Sequence, residues 1–303
     1  MDIKNLLSGI CLALVGAAAQ AAPLVIRDGY VEAGVSDLYG TLGSNHSASP
    51  GILFDPTGTS NYGVNDFLTP GSPFEGFYLV ADGGLTWSSN NNGGGYGFVS
   101  PFTLTQLSPT RVTAASSTTD RALSILHDYQ LSRSGTRSEI KISTTITNLS
   151  GTPITGLKLL RTLDPDPDVN TYGSYDTVNS VPSSTRACGS GTLTDQTICI
   201  EAASTSFSPN AGVSGPSWST DPNLYLAGVN DGDGDNAIGL AYNVGTLAPG
   251  ASVTLQYTYV LSNTRAGTDP VAVPALSPLG LAALSGGLFL VAGWRRRQIQ
   301  RKK

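Results

Sequence analysis

The sequence predicts an all-β body, an antiparallel β-sandwich, set between two terminal segments that do not belong to it. Three observations lead there. Charged residues make up only 13% of the 303 positions while glycine takes 36, where ordinary domains carry about 25% charge and about 7% glycine. Apolar residues alternate with period two along Ile140, Ile142, Thr144 and Ile146, and again along Val253, Leu255, Tyr257 and Tyr259. No stretch of the body carries a sustained helical period. Apolar content of 40%, gathered in blocks, excludes a disordered chain.

From the N-terminus, residues 1–21 read as a secretory signal. Lys4 marks a short basic region, Ile10 to Ala19 are apolar or small, and Ala19-Gln20-Ala21 fits the small-residue cleavage pattern. Ile10 precedes Cys11, which rules against a lipoprotein signal. Residues 22–268 form the exported body, one large sandwich or two packed sub-domains.

Within the body, Tyr39–Gly43 and Gly51–Gly58 read as short strands with tight turns, and Asn90–Gly95 as a loop tip between Trp87 and Phe98. Ala122–Leu131 is a predicted strand with Leu123, Ile125, His127, Tyr129 and Leu131 on one face. A turn at Ser132–Thr136, a strand around 140–146, a turn at Asn148–Pro153 and a strand at Ile154–Leu163 complete a three-stranded meander. A second meander is expected from Leu224–Val229, the acidic loop Asn230–Asn236, a strand at Ala237–Val244, a turn at Leu247–Gly250 and the final alternating strand.

The C-terminal segment, 269–303, reads as an address. From Pro270 to Trp294 no residue is charged, and Leu279–Trp294 is strongly apolar, which is enough to span a bilayer as one helix. Arg295, Arg296 and Arg297 follow at once, a membrane stop that holds the C-terminus in the cytoplasm and the body outside. Val273-Pro274-Ala275-Leu276-Ser277, the apolar helix and the arginines together resemble the C-terminal sorting signals of Gram-negative bacteria. The nearest type is the IPTL-CTERM class, related in design to the PEP-CTERM signals handled by exosortases. Val273 stands for the usual Ile, Ala275 for Thr, and no Pro-Glu-Pro is present. The resemblance implies a membrane anchor, a sorting or processing protease of the envelope as partner, and residence at the cell envelope or surface.

Charge and cysteines narrow the body further. Between residues 22 and 270 stand ten basic against 21 acidic residues, so phosphate backbones are repelled and nucleic acid is excluded as a partner. Once the leader is removed, Cys188 and Cys199 remain, an even pair in an exported chain, which reads as one disulfide.

Two acidic loops are the strongest site candidates. Asp164, Asp166 and Asp168 alternate with Pro165 and Pro167; Asp231, Asp233 and Asp235 alternate with Gly232 and Gly234. Alternating carboxylates on irregular backbone can wrap a hard cation such as calcium, although neither loop has the EF-hand's sixth-position Gly or twelfth-position Glu. The plainer reading is two solvated turns. Trp87, Tyr96, Trp218 and Tyr225 flank Gly- or Ser-rich loops, with Trp87 and Trp218 as the glycan platform they suggest. His46 and His127 are the only histidines, and no nucleophile elbow, zinc-type His pair or phosphate loop occurs. The expectation is therefore a structural or adhesive surface protein that is not an enzyme. The alternative is a carbohydrate-binding or carbohydrate-active sandwich stabilised by calcium.

Overall fold

The computed structural model describes residues 22–45, 48–69, 74–92 and 94–265. The predicted leader, the sorting motif Val273–Ser277, the membrane segment with Arg295–Arg297, and His46 lie outside these residues. Among the described residues no helix is long and apolar enough to cross a membrane.

Among the described residues, seventeen strands carry the body. β1 (Leu24–Arg27), β2 (Val31–Val35), β3 (Ile52–Phe54), β4 (Glu75–Ala81), β5 (Leu85–Asn90) and β6 (Gly94–Tyr96) come first. β7 (Thr103–Ser108), β8 (Arg111–Ser117), β9 (Leu123–Ser134), β10 (Arg137–Asn148) and β11 (Ile154–Leu163) follow. After the short helix α1 (Val169–Tyr172) come β12 (Thr177–Ser183), β13 (Arg186–Gly191), β14 (Thr197–Ala202) and β15 (Asn210–Ser214). Helix α2 (Pro222–Leu226), β16 (Ala237–Leu247) and β17 (Ser252–Ser262) close the body.

The strands form three antiparallel sheets. β1-β2-β3 is small; β12-β13-β14-β17-β10-β9-β8-β7 has eight strands; β15-β16-β11-β4-β5-β6 has six. The inner faces of the two large sheets share one apolar cluster that includes Ile125, Ile142, Leu255, Leu159 and Leu240. Period-two burial along β9, where Leu123, Ile125, His127, Tyr129 and Leu131 all point inward, is as the sequence predicts.

Both expected meanders are corrected. β9 and β10 pair, but β11 leaves for the six-stranded sheet and the other neighbour of β10 is β17. The turn at Leu247–Gly250 likewise carries the chain from β16 to β17 in the opposite sheet. Asn148 ties both corners: its Nδ2 donates to Thr152 O (2.9 Å) and Leu247 O (2.8 Å), and its Oδ1 accepts from Ser150 N (2.9 Å). Residues 224–229 do not form a strand. Asp221 accepts from Asn223 N (2.9 Å) and Pro222 fixes the first turn, so α2 begins where an Asp-Pro cap directs it.

A polar network crosses the core between the large sheets. The fully buried side chains of Arg161 on β11 and Glu75 on β4 form an ion pair. Glu75 also accepts from Tyr259 Oη (3.0 Å) and Leu42 N (2.8 Å), and Arg161 Nη2 donates to Tyr129 Oη (3.1 Å). His127 Nδ1 meets Thr144 Oγ1 at 2.9 Å, with Tyr257 Oη 2.8 Å beyond. Burial pushes the Glu75 carboxyl up, and the Arg161 guanidinium opposes that push.

Candidate functional site

The antiparallel register of β11 with β16 ends at Leu163 opposite Ile238. The residues leaving β11 therefore emerge beside those entering β16, and the two acidic loops meet. Asp164 and Asp166 are set by backbone bonds, Asp164 N to Phe74 O (2.8 Å) and Asp166 N to Phe67 O (2.9 Å). Pro165 and Pro167, which have no N–H, keep the segment out of helix and ladder alike. Pro165 lies so close to Gly189 that a Cβ there would meet its Cγ at 2.6 Å. On the other loop, backbone bonds between Gly234 and Thr177 (2.9 and 3.1 Å) fix the turn, with φ of +80° at Gly232 and +136° at Gly234.

The six aspartates separate by their partners, and the division does not follow the loops. Asp168 is buried and accepts from Leu193 N (2.8 Å), Thr194 N (3.2 Å) and the Thr194 hydroxyl. Asp231 accepts from Gly215 N (2.6 Å) and Asp233 from Asn179 N (2.8 Å). Those three act as local braces. Asp164, Asp166 and Asp235 instead converge, with one carboxylate oxygen from each lying within 4.8 Å of the others. A grouping of three ligands per loop is thus replaced by one cluster drawn from both. Burial pushes the Asp164 carboxyl up to about 9, with the charges of Asp166 and Asp235 adding to it. Burial, then the charge of Asp235, takes Asp166 to about 8, and burial also raises Asp235.

Asp235 also lines an open cleft of about 1010 Å³ with Asp176, Asp231, Asp233, Asn236 and the serines 214, 217 and 219. The serines belong to the Ser-rich segment around Trp218, whereas Asp176 is a single acidic residue that no local pattern marks.

The aromatic platform is corrected in part. Trp87 is 3% exposed on β5 and donates its Nε1 to Asp120 (3.0 Å), so its ring belongs to the core, and Tyr225 is fully buried on the inner side of its own helix, α2. The side chain of Tyr96 is outside the description. Trp218 is half-buried, packs on Phe74 at 5.3 Å between ring centroids, and places Nε1 3.4 Å from Asp235 O. Cys188 and Cys199 face each other on β13 and β14 and form the expected disulfide. His127 and Asp128 point to opposite faces, His127 inward and Asp128 outward to Arg111.

No family model matches the chain, and no curated protein matches it. Several solved structures are similar. A bacterial glucoamylase complexed with acarbose is 9% identical with a TM-score of 0.47, over 82% of this chain and 33% of its own. The chain thus spans about a third of that enzyme's length. A galactose mutarotase-like protein from Lactobacillus casei is 12% identical with a TM-score of 0.46, over 79% of this chain and 100% of its own. A heparan sulfate lyase from Pedobacter heparinus is 8% identical with a TM-score of 0.40, over 82% of this chain and 36% of its own. At these identities the likeness is one of fold. The expectation that this body is not an enzyme finds no support among these neighbours, whose own names are those of glycan-active proteins.

Proposed function

We propose that the chain is an exported, carbohydrate-active β-sandwich of the cell envelope, carried there by its leader and C-terminal sorting segment, with the acidic cleft as its glycan site. The observation that carries this reading is the cleft's lining. It combines the carboxyl-bearing Asp176, Asp231, Asp233 and Asp235 with Ser214, Ser217, Ser219 and Asn236. Such a surface accepts from and donates to many hydroxyls at once. Its volume of about 1010 Å³ lies at the upper end of the range, about 300–1,000 Å³, of small-molecule sites.

Charge selects among glycans. Four carboxylates with no cationic side chain in the lining repel sulfated and uronic polymers, so the preferred ligand is a neutral or amino sugar. Carboxyl groups facing one cleft are also the equipment of glycoside hydrolysis. The test is a panel of neutral, amino and anionic polysaccharides scored for retention and for release of reducing ends. Selective retention or turnover of a neutral or amino glycan, weakened by Asp176→Asn and Asp233→Asn, supports the assignment. Preference for anionic polymers would reject it.

A further inference from the structure

The cleft explains Asp235 but not the two carboxyl groups behind it. Asp164 and Asp166 are only 3% and 4% exposed, and the Oδ1 atoms of Asp164, Asp166 and Asp235 are buried with no donor from the rest of the chain, Asp164 and Asp235 having only each other to share a proton with. Among the described residues no Lys, Arg or His forms an ion pair with any of the three. Buried carboxylates are ordinarily paired, hydrogen-bonded or bound to metal. The contrast within the same loops is sharp, since Asp168, Asp231 and Asp233 each take a backbone N–H. Three carboxyl groups are provided for by the fold, and three are left facing one another.

The geometry points to a divalent cation of calcium's size held by Asp164, Asp166 and Asp235 together, one ion shared by the two loops. One carboxylate oxygen from each residue lies within 4.8 Å of the others, close enough for all three to reach a single ion. An all-oxygen set on irregular loops suits calcium, which accepts six to eight oxygens in flexible geometry, better than magnesium, which demands a near-ideal octahedron. Three carboxylates supply three to six oxygens according to whether each binds through one or both. Water entering along Asp235 from the cleft fills what remains of calcium's six to eight positions. The ion would join the exit of β11 to the entry of β16 and set the wall of the cleft. It stands whether or not the cleft takes a glycan.

Trp218 offers a direct readout, since its indole nitrogen is 3.4 Å from the Asp235 carbonyl and can sensitise terbium, a luminescent stand-in for calcium. The full chain is stripped with chelator, titrated with terbium under tryptophan excitation, and competed with calcium; equilibrium dialysis then counts ions. The expected result is one calcium per chain, terbium emission displaced by calcium, and a rise in Tm on adding calcium. Asp164→Asn and Asp235→Asn should each weaken binding at least tenfold while far-ultraviolet circular dichroism stays that of the parent. Asp233→Asn should bind as the parent does, and Trp218→Phe should lose emission while keeping calcium by dialysis. Asparagine keeps the shape and removes charge, so these variants fold in the absence of metal; should Asp164→Asn fail to fold, Asp235→Asn on the open loop decides. A folded chain that takes up no calcium at millimolar concentration overturns the assignment, as does binding unchanged in Asp235→Asn or abolished in Asp233→Asn. A parent chain that retains glycan but takes up no calcium would reject the ion and leave the cleft standing; one that takes up calcium but retains no glycan would reject only the cleft.

Discussion

Asp164 directly follows β11 and Asp235 precedes β16, the strand paired with it, and a carboxyl oxygen of each lies within 4.8 Å of the other although the two belong to separate loops. Antiparallel pairing of β11 with β16 causes the meeting, because the exit of one strand is the entrance of the other. The consequences of the pairing reach stability, metal response and ligand choice.

In chelator, stability should fall as pH rises. The folded chain holds protons on Asp164 and Asp166 up to about 9 and about 8, against 3.8 for an ordinary aspartate. A carboxyl group raised in this way contributes stability that is full below pH 3.8 and is lost as pH rises through its folded value. Between pH 6 and 9 the Tm of the stripped chain should therefore decline, and Asp164→Asn should flatten the decline. A Tm in chelator that climbs steadily over that interval would show that the two groups ionise freely.

His127 should stay neutral well into the acid range. Burial first, and then the charge of Arg161, holds its imidazole well below 6.5. A depressed histidine contributes stability that is full above 6.5 and is lost as pH falls through the folded value. Imidazole nitrogen shifts recorded at pH 5.5 should be those of the neutral ring, with Nδ1 engaged to Thr144. A protonated ring at that pH would mean that the core admits water.

Arg161→Met should cost about 3–5 kcal/mol in urea unfolding, because it strands the buried Glu75 carboxyl without its cationic partner. A loss below about 1 kcal/mol would show that the pair is solvated in the native protein.

Replacing Cys188 and Cys199 by alanine should lower stability by about 3 kcal/mol, the loop-entropy value for a closed segment of this size. The native chain should take up no thiol label at either position. Labelling of both in the folded state would refute the bridge.

Much of the fold is legible in the sequence because burial on one face imposes period two. His127 falls on the inner face of β9 with Leu123, Ile125, Tyr129 and Leu131 for that reason alone. Pairing partners are not legible in the same way. Nothing local to Asn148 or to Leu247–Gly250 says that the chain crosses to the other sheet, since a turn between two apolar strands fits a hairpin equally well. That gap separates the six aspartates into the wrong sets: spacing groups Asp164, Asp166 and Asp168, while long-range pairing draws Asp235 in and turns Asp168 toward Leu193 and Thr194. Trp87 shows the complementary error. Its Gly-rich neighbours suggest exposure, yet the ring is buried and only Nε1 reaches a partner, Asp120.

The most direct test of the proposed function is the retention of neutral and sulfated polysaccharides by the purified full chain, run beside Asp176→Asn, which changes the cleft and leaves Asp164, Asp166 and Asp235 in place. The account predicts that a neutral or amino glycan is retained, that sulfated polymers pass through, and that Asp176→Asn weakens retention about tenfold. Passage of every glycan without retention or cleavage, or retention that Asp176→Asn leaves untouched, would contradict the assignment of the acidic cleft as the site.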